Sequence, residues 1–271
     1  MASEARTIAP LGRRSLHLTA VRDLGSYRIL HVADPDGPEP EPGQFAMLAC
    51  VERWGAGEDE RPYLPRAFSY ARFGDGEAQF LLEDVGPGTH RLCELRAGEQ
   101  LWLTGPLGVG FSSPSQSRRA ILVGGGVGIA PLAMLHDKLD EPSTVLFGFR
   151  DRVHAEGEQL IDRARVATDD GSVGHHGLVT DLLLEELERD ARAEVYACGP
   201  APMLEATRAM CVAQNVPAQL ALESGMACGF GACFGCVVPT RAGDYLRVCV
   251  DGPVIDAAML ERVDAHAGAP A

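Results

Sequence analysis

The segment Ala120-Ile-Leu-Val-Gly-Gly-Gly-Val-Gly-Ile-Ala-Pro131 decides the fold of the second half of this 271-residue chain. It begins with an apolar strand, Ala120–Val123, continues as a glycine loop and predicts a helix to about Leu139. A glycine loop between a strand and a helix lets backbone N–H groups approach a pyrophosphate. The loop departs from the G-x-G-x-x-G pattern, and its glycines could be purely structural. The residues predicted to contact a nucleotide are Gly124, Gly125, Gly126 and Gly128.

Strands and helices alternate along the rest of this half. The predicted strands are 144–149, 165–168, 194–198 and 219–222, and the predicted helices are 158–164, 178–187 and 202–214. Such alternation with short connections implies a parallel sheet covered by helices on both faces. Cys198, Gly199 and Pro200 end one strand, at the edge where such sheets bind ligands. The thiol could line a nicotinamide pocket, but a buried thiol followed by a turn explains these residues equally well.

The first part of the chain, residues 1 to about 112, has a different pattern. Short strands are predicted there, for example Tyr27–Val32, Gln44–Leu48, Ala67–Ala71, Gln79–Leu82 and Gln100–Thr104. Short strands broken by Pro and Gly favour a small antiparallel barrel. One helix is expected from near Thr89 to Leu95. A linker at Ser113–Ser117 separates the barrel from the α/β half.

Two short motifs in the predicted barrel could bind phosphate. Arg66 could pair with a phosphate in a bidentate contact, and Ser69 on the same strand could donate a hydrogen bond. Thr89, as the expected N-cap of the short helix after Gly86, could help hold a second pyrophosphate. A surface ion pair and an ordinary turn with its cap explain the two motifs as well.

Four cysteines near the carboxyl terminus follow the spacing C-x4-C-x2-C-x12-C. They are Cys228, Cys233, Cys236 and Cys249. This spacing is typical of a plant-type [2Fe–2S] cluster. Structural zinc is the alternative, but zinc sites usually show paired C-x2-C knuckles. A disulfide framework would need an oxidising compartment, and no export signal is expected in the sequence. An iron–sulfur site is therefore favoured.

The composition argues against two classes of partner. The formal net charge is -14 and no basic block is present, which disfavours nucleic acid and anionic membranes. No apolar run is long enough to span a bilayer, so a cytoplasmic location is expected. The remaining cysteines, Cys50, Cys93, Cys198 and Cys211, are scattered and are expected to be buried small apolar residues, with Cys198 a partial exception.

Taken in order, these motifs resemble the ferredoxin–NADP reductase superfamily, in which a flavin barrel precedes a pyridine-nucleotide domain. The cluster motif, Met226 to Cys236, narrows the match. It is similar to the electron-transfer subunits of class 1B dihydroorotate dehydrogenases, the K subunits. Phe147–Arg150 and Thr168–Ser172 with Gly177 resemble the same family. The resemblance covers nearly the whole chain beyond about residue 15.

The resemblance implies FAD, a [2Fe–2S] cluster and NAD as cofactors, in three parts: 1–112 for FAD, 113–222 for NAD and 223–271 for the cluster. It also implies roles for individual positions. The flavin would contact Arg66, Ala67, Phe68, Ser69, Leu81, Leu82 and Glu83, with its phosphates at Gly88 and Thr89. NAD would bind Gly124–Gly128 and Cys198–Pro200, with Glu223 near the flavin–nicotinamide contact. The four cysteines would ligate the cluster.

The family also implies a partner. A separate FMN-containing catalytic subunit would oxidise dihydroorotate, and electrons would pass through the cluster and FAD to NAD⁺, in a complex of two plus two subunits. This chain would have no catalytic residues for dihydroorotate itself. Alternatives with the same cofactors are an NAD(P)H-dependent ferredoxin or sulfide oxidoreductase and an oxygenase reductase. A non-catalytic module with a degenerate flavin site is a third interpretation.

Three positions depart from the family pattern. Ala67 replaces a usual Pro, Glu83 replaces a common Arg, and Pro87 replaces a Lys or a similar residue. Glu83 would place negative charge near a pyrophosphate, which is unfavourable unless the side chain points away. Arg150 and Arg152 follow the second strand, where a 2′-phosphate could bind. The resemblance nevertheless implies NADH rather than NADPH.

Overall fold

The computed structural model describes residues 12–55, 62–115 and 118–263. Within these ranges six antiparallel strands close into a barrel in the order β1-β2-β5-β4-β3-β6. The strands are β1 (Arg14–Leu24), β2 (Tyr27–Ala33), β3 (Phe45–Cys50), β4 (Arg66–Gly74), β5 (Glu77–Glu83) and β6 (Gln100–Leu107), and helix α1 (Pro87–Cys93) follows β5. The predicted antiparallel barrel is confirmed.

The α/β half forms a sheet in the order β10-β9-β8-β7-β11-β12-β15, as far as the chain is described. Its parallel strands are β7 (Arg119–Gly125), β8 (Thr144–Phe149), β9 (Arg165–Thr168), β10 (His175–His176), β11 (Ala193–Cys198) and β12 (Ala218–Ala221). Its helices are α2 (Ile129–Lys138), α3 (Arg152–Ala155), α4 (Val179–Arg189) and α5 (Ala201–Ala213). The predicted parallel sheet with helices is confirmed, and the glycine loop lies at its carboxyl edge.

The last part of the described chain is joined to both other parts. It contains β13 (Val237–Pro239), β14 (Tyr245–Arg247), α6 (Val248–Asp251) and β15 (Val254–Asp256). Strands β13 and β14 form a hairpin, while β15 pairs antiparallel with β12 and extends the large sheet. Val109, just after the barrel, forms an isolated bridge with Pro253. The cysteine loop is therefore held between the barrel and the sheet.

Strand β5 explains how the barrel packs against the sheet. Successive side chains of a strand point to opposite sides. Leu82 lies in the barrel core with Leu30, whereas Leu81 packs outside the barrel with Ile29 and with Ile129 of α2. Burying a side chain of this kind is worth about 1.5–3 kcal/mol. Because both sides of β5 are buried, the barrel is fixed against the α/β half.

At the amino-terminal edge of the sheet, a buried carboxylate joins several elements. The Glu186 side chain on α4 is 2% exposed. It accepts from three arginines, Arg119 at 3.1 Å, Arg165 at 2.8 Å and Arg189 at 3.1 Å. Arg119 and Arg165 begin two strands of the sheet, so one carboxylate connects β7 and β9 with α4.

Two predicted helix boundaries were wrong. The helix expected at 158–164 begins earlier, as α3 followed by a 3₁₀ turn over Glu156–Leu160. The reason is a cap, because Asp151 accepts hydrogen bonds from the backbone N–H groups of Val153 and His154. The short barrel helix begins at Pro87, with Gly86 as its N-cap, so Thr89 occupies the third helical position rather than the cap.

Two further observations concern the limits of the predicted parts. The linker expected at Ser113–Ser117 lies between β6 and β7, and its last two residues fall outside the described ranges. A 3₁₀ turn over Ala257–Met259 follows β15. Among the described residues, no helix combines the length and apolar character needed to cross a membrane.

Candidate functional site

A cleft of about 550 Å³ separates the barrel from the carboxyl edge of the large sheet. Gly125 and Gly126 of the glycine loop line it, together with Pro200 at the end of β11. The barrel contributes Tyr27 and Glu83 to the facing wall. The cleft therefore lies where parallel sheets of this kind bind nucleotides.

The glycines of the loop are needed for two different reasons. An added Cβ at Gly128 would lie 2.3 Å from the Cys198 carbonyl oxygen, and one at Gly125 would lie 2.7 Å from the Met203 sulfur. Close packing thus excludes larger side chains there. Gly126 has a φ of 53° and meets nothing within 4 Å, so its backbone is open to the cleft. A Cβ added at Gly124 would lie 2.9 Å from the Ile129 side chain, so Gly124 is closely packed as well.

The three residues at the end of β11, Cys198, Gly199 and Pro200, have different surroundings. The Cys198 side chain is buried in the core beneath the cleft, whereas Pro200 reaches the cleft wall. Burial raises the pKa of the Cys198 thiol, and the nearby Glu223 carboxylate raises it further. The thiol is therefore a neutral packing group, and Gly199 is fixed because a Cβ there would lie 2.7 Å from Met203.

Glu223 lines the cleft next to Pro200, directly after the last parallel strand. Solvent reaches its side chain from the cleft mouth, but the surrounding walls displace enough water to raise its pKa. A carboxyl group with a raised pKa in a cleft can exchange a proton more readily than an ordinary surface carboxylate. Glu223 thus lines the same cleft as Gly125 and Gly126, and its predicted position near a flavin–nicotinamide contact stays a prediction.

In the barrel, Arg66 lies directly on the start of helix α1. A Cβ added to Gly88 would lie 2.5 Å from the Arg66 Nε atom. Arg66 donates to the Leu64 carbonyl at 2.8 Å, and burial lowers the pKa of its guanidinium. Within the described ranges no carboxylate is paired with it. A half-buried, unpaired cation beside backbone N–H groups suits a phosphate.

The Thr89 hydroxyl is already occupied by its own turn. It accepts from the backbone N–H groups of Val85 and Gly86, both at 2.9 Å, and donates to the Gly86 carbonyl. Thr89 therefore shapes the loop before α1, and its side chain is not free to bind a phosphate directly.

The other predicted flavin residues lie on β4 and β5. Ala67 is exposed, and Phe68 and Ser69 are partly exposed beside it. Leu82, however, is fully buried inside the barrel, so its side chain cannot contact a flavin outside it. Leu81 is buried between the barrel and the sheet. The alternation of β5 therefore leaves only backbone atoms of these two leucines for a ligand.

Glu83 is paired across the cleft. One of its oxygens accepts from Arg150, and the same oxygen lies 3.3 Å from the His154 Nε2 atom. His154 Nδ1 in turn lies 2.7 Å from Asp151. The unfavourable charge expected at position 83 is thus neutralised by side chains of the α/β half. These partners are 67 and 71 residues away in sequence, and no local signal in the chain could have identified them.

The four cysteines near the carboxyl terminus form two sulfur pairs. Cys236 and Cys249 have their sulfurs 3.2 Å apart, and the Cys233 thiol lies close enough to Cys228 to lower the pKa of the Cys228 thiol. Cys236 and Cys249 are buried, whereas Cys233 is exposed. No three His, Cys, Asp or Glu side chains of the described ranges surround one point as a single metal ion requires. Two pairs of thiolates suit the two irons of a [2Fe–2S] cluster.

Backbone N–H groups of the cysteine loop point at these sulfurs. The Gly231 N–H donates to the Cys249 sulfur at 3.1 Å. Burial would raise the pKa of Cys228, but hydrogen bonds from the backbone N–H groups of Phe230, Cys233 and Ala232 lower it to about 6. Donors of this kind stabilise thiolate and sulfide, so the residues fit an iron–sulfur cluster.

Glycines let the loop approach its neighbours closely. Gly229 and Gly231 have φ values of 76° and 86°, which side chains rarely adopt. A Cβ at Gly229 would lie 2.6 Å from Met47 of the barrel, and one at Gly231 would lie 2.7 Å from Val250. The loop therefore lies tightly between the barrel and α6.

Curated proteins resemble the chain over most of its length. It is 39% identical to the dihydroorotate dehydrogenase B (NAD(+)), electron transfer subunit of Caldanaerobacter subterraneus subsp. tengcongensis, over 80% of this chain and 86% of that protein. The subunit of the same name from Clostridium acetobutylicum is 36% identical, over 80% and 84% of the two chains. The chain belongs to the family of dihydroorotate dehydrogenase B electron transfer subunits.

Two family models match parts of this electron transfer subunit. Residues 223–261 match the iron-sulfur cluster binding domain of dihydroorotate dehydrogenase B, and residues 122–209 match the oxidoreductase NAD-binding domain. A solved structure described as the NADH-dependent reduced ferredoxin-NADP oxidoreductase superposes with a TM-score of 0.77 and 26% identity, over 93% of this chain and 92% of that chain. The predicted family, the oxidoreductase class and the cofactors FAD, [2Fe–2S] and NAD are confirmed.

Proposed function

We propose that this chain is the electron-transfer subunit of an NAD-dependent dihydroorotate dehydrogenase and serves pyrimidine biosynthesis. When bound, the [2Fe–2S] cluster and FAD would carry electrons from an FMN-containing catalytic subunit to NAD⁺. The observation that carries this proposal is the cysteine loop, whose paired sulfurs belong to a loop packed against the barrel, in the same chain as the nucleotide cleft. The relatives named as dihydroorotate dehydrogenase subunits support the choice of pathway.

In this proposal the barrel holds FAD through a few groups. Arg66 and the backbone at Gly88 would bind the diphosphate, because the guanidinium has no carboxylate partner in the described ranges and lies on the start of α1. Ala67, Phe68 and Ser69 offer the exposed part of β4 to the flavin ring. Thr89 fixes the loop that presents Gly88.

NAD would enter the cleft at the carboxyl edge of the sheet. The open backbone at Gly126 would receive the diphosphate, while Gly125, Gly199 and Pro200 shape the wall beside it. Glu223, with its raised pKa, would hold or exchange a proton near the nicotinamide. The proposed division into residues 1–112, 113–222 and 223–271 follows these three binding regions.

The catalytic subunit would dock at the exposed side of the cysteine loop. Phe230 and Phe234, which flank the exposed Cys233 in sequence, are 51% and 61% exposed, and Tyr245 on β14 is 70% exposed. Exposed aromatic side chains of this density favour a protein interface. We propose a complex of two electron-transfer and two catalytic subunits, located in the cytoplasm.

The proposal is tested by copurifying the chain with an FMN-containing dihydroorotate dehydrogenase subunit. The complex should reduce NAD⁺ with dihydroorotate. Cys233→Ser should abolish that reaction and leave the reduction of FAD by NADH intact. Cys93→Ser, a half-buried cysteine on α1, is the matched control and should retain both reactions. Undiminished coupled activity in Cys233→Ser would refute the route.

A second candidate has support from one observation. The superposition over more than nine-tenths of both chains is with a protein described as a ferredoxin-NADP oxidoreductase. The rival function is therefore NAD(P)H-dependent reduction of a ferredoxin with the same cofactors. Assaying the purified chain alone, without a catalytic subunit, separates the two. Rapid NADH-driven ferredoxin reduction, with no complex formed with a dihydroorotate dehydrogenase, would favour the rival.

A further inference from the structure

Glu83 and Arg150 form a contact that joins the barrel to the nucleotide sheet. Glu83 ends β5 and its side chain is 17% exposed, whereas the Arg150 side chain follows β8 and is 60% exposed. His154, at 13% exposure, touches the same Glu83 oxygen and connects it to Asp151. Both Glu83 and Arg150 line the cleft. A carboxylate of the barrel thus forms an ion pair with a cation of the nucleotide-binding half.

Arg150 stands where a nucleotide 2′-phosphate would seek a positive charge. It follows the second strand of the parallel sheet, at the edge that binds nucleotides. The other nearby arginine, Arg152, donates to the Ser172 carbonyl. Asp169, at the end of β9, lines the same cleft, and Asp170 accepts from the Ser172 N–H at 3.0 Å. Neither arginine is therefore free, and carboxylates surround the site.

We propose that Glu83 makes this chain select NADH over NADPH by neutralising Arg150. This inference rests on the proposed use of a nicotinamide dinucleotide in the cleft. A 2′-phosphate carries about 1.5–2 negative charges near neutral pH, as other phosphate monoesters do. It would have to displace Glu83 from Arg150 and then lie beside Asp169. A 2′-hydroxyl meets no such repulsion and can donate to a carboxylate.

A purely structural contact would behave differently from a selective one. If Glu83 only holds the barrel to the sheet, its loss weakens the binding of all nucleotides in equal proportion. If Glu83 selects, its loss releases Arg150, removes one negative charge and favours the 2′-phosphate specifically. The ratio between two ligands that differ by that phosphate is thus the informative quantity.

The test uses adenosine 2′,5′-bisphosphate and AMP, titrated calorimetrically into the cofactor-loaded protein. Wild type should bind AMP more tightly. Glu83→Gln should shift the affinity ratio by about tenfold toward the bisphosphate, the size expected for one partly exposed charge. The ratio of kcat/KM for NADPH to that for NADH should move in the same direction. Glu83→Asp, which keeps the charge, should restore the preference for AMP.

Controls make the outcome decisive. Glu77→Gln removes a carboxylate from the other end of β5, where it contacts His31, and should leave the ratio at the wild-type value. Adding Arg150→Gln to Glu83→Gln should abolish the gain. An unchanged ratio in Glu83→Gln, or a gain that persists without Arg150, would overturn the proposal. If Glu83→Gln does not fold, Glu83→Ala is measured instead.

These measurements need no catalytic subunit. Failure of the dihydroorotate pathway would therefore leave the ligand ratio measurable. An unchanged ratio would equally leave the proposed electron-transfer function intact.

Discussion

Gly231 and Gly243 offer a matched pair for testing how the cysteine loop is held. Both have a φ of 86°, so alanine carries the same backbone penalty at either position, about 1–2 kcal/mol. Their surroundings differ. A Cβ at Gly231 would lie 2.7 Å from the Val250 Cγ2 atom, whereas one at Gly243 would meet nothing within 4 Å. Val250 is β-branched and has little freedom to move aside.

The two alanine variants should therefore separate backbone strain from close packing. Gly243→Ala should lower the free energy of unfolding by about 1–2 kcal/mol. Gly231→Ala should lose about 2–5 kcal/mol, because overpacking adds about 1–3 kcal/mol to the same strain. Gly231→Ala also displaces the N–H that donates to the Cys249 sulfur at 3.1 Å. Only this variant should lose cluster.

Thermal unfolding measures the stability difference, and iron and acid-labile sulfide analysis measures the cluster content. For a chain of this length, each kcal/mol of destabilisation lowers the Tm by about 2–4 °C. The predicted difference in Tm between the two variants is therefore readily measured. Equal losses of stability in both variants, with full iron content in Gly231→Ala, would refute the packing argument. The cluster would then be held by the cysteines alone.

Two further predictions concern ion pairs away from the cofactors. Glu186→Gln should lower the free energy of unfolding, measured by urea titration, by about 2 kcal/mol. This is less than for a fully buried pair, because the arginines around Glu186 are partly exposed. In the control variant Glu185→Gln, whose carboxylate is 53% exposed, the free energy of unfolding should fall by under about 0.5 kcal/mol. The pKa of Glu205 is lowered by its hydrogen bond with Arg208. This pair therefore stabilises the fold fully at a pH above the ordinary pKa of glutamate. The stabilisation is lost as the pH falls through the lowered pKa that Glu205 has in the folded protein. Wild type and Glu205→Gln should thus differ by under about 1 kcal/mol at pH 7 and converge in acid; a constant gap would contradict the assignment.

Local sequence patterns were sufficient for the features that depend on neighbouring residues. The cysteine spacing, the strand before Gly124 and the alternation of strands and helices each occupy a short window. The early start of α3 also had a local signal, since Asp151 is a favourable helix cap. The burial of Leu82 inside the barrel likewise follows from the two-residue period of a strand. Both features therefore follow from local sequence alone.

Contacts between distant segments could not be predicted in the same way. Glu83 and Arg150 are 67 residues apart, and nothing near either residue identifies the other. The pairing of β15 with β12 depends on the chain returning to the sheet after the cysteine loop. Whether Glu83 opposes or assists a bound nucleotide therefore required the folded arrangement. The effect of the Glu83 charge on a bound nucleotide could not be predicted without its partner, Arg150.

The return of β15 to the large sheet also affects how the protein resists aggregation. A sheet edge with unpaired backbone groups can recruit a strand from another molecule. Here β15 covers β12 and is itself only three residues long, preceded by Pro253, which has no N–H to offer. The other edge, β10, has two residues. Loss of the cluster would loosen the segment that carries β15 and uncover Ala218–Ala221, so iron depletion should promote association between chains.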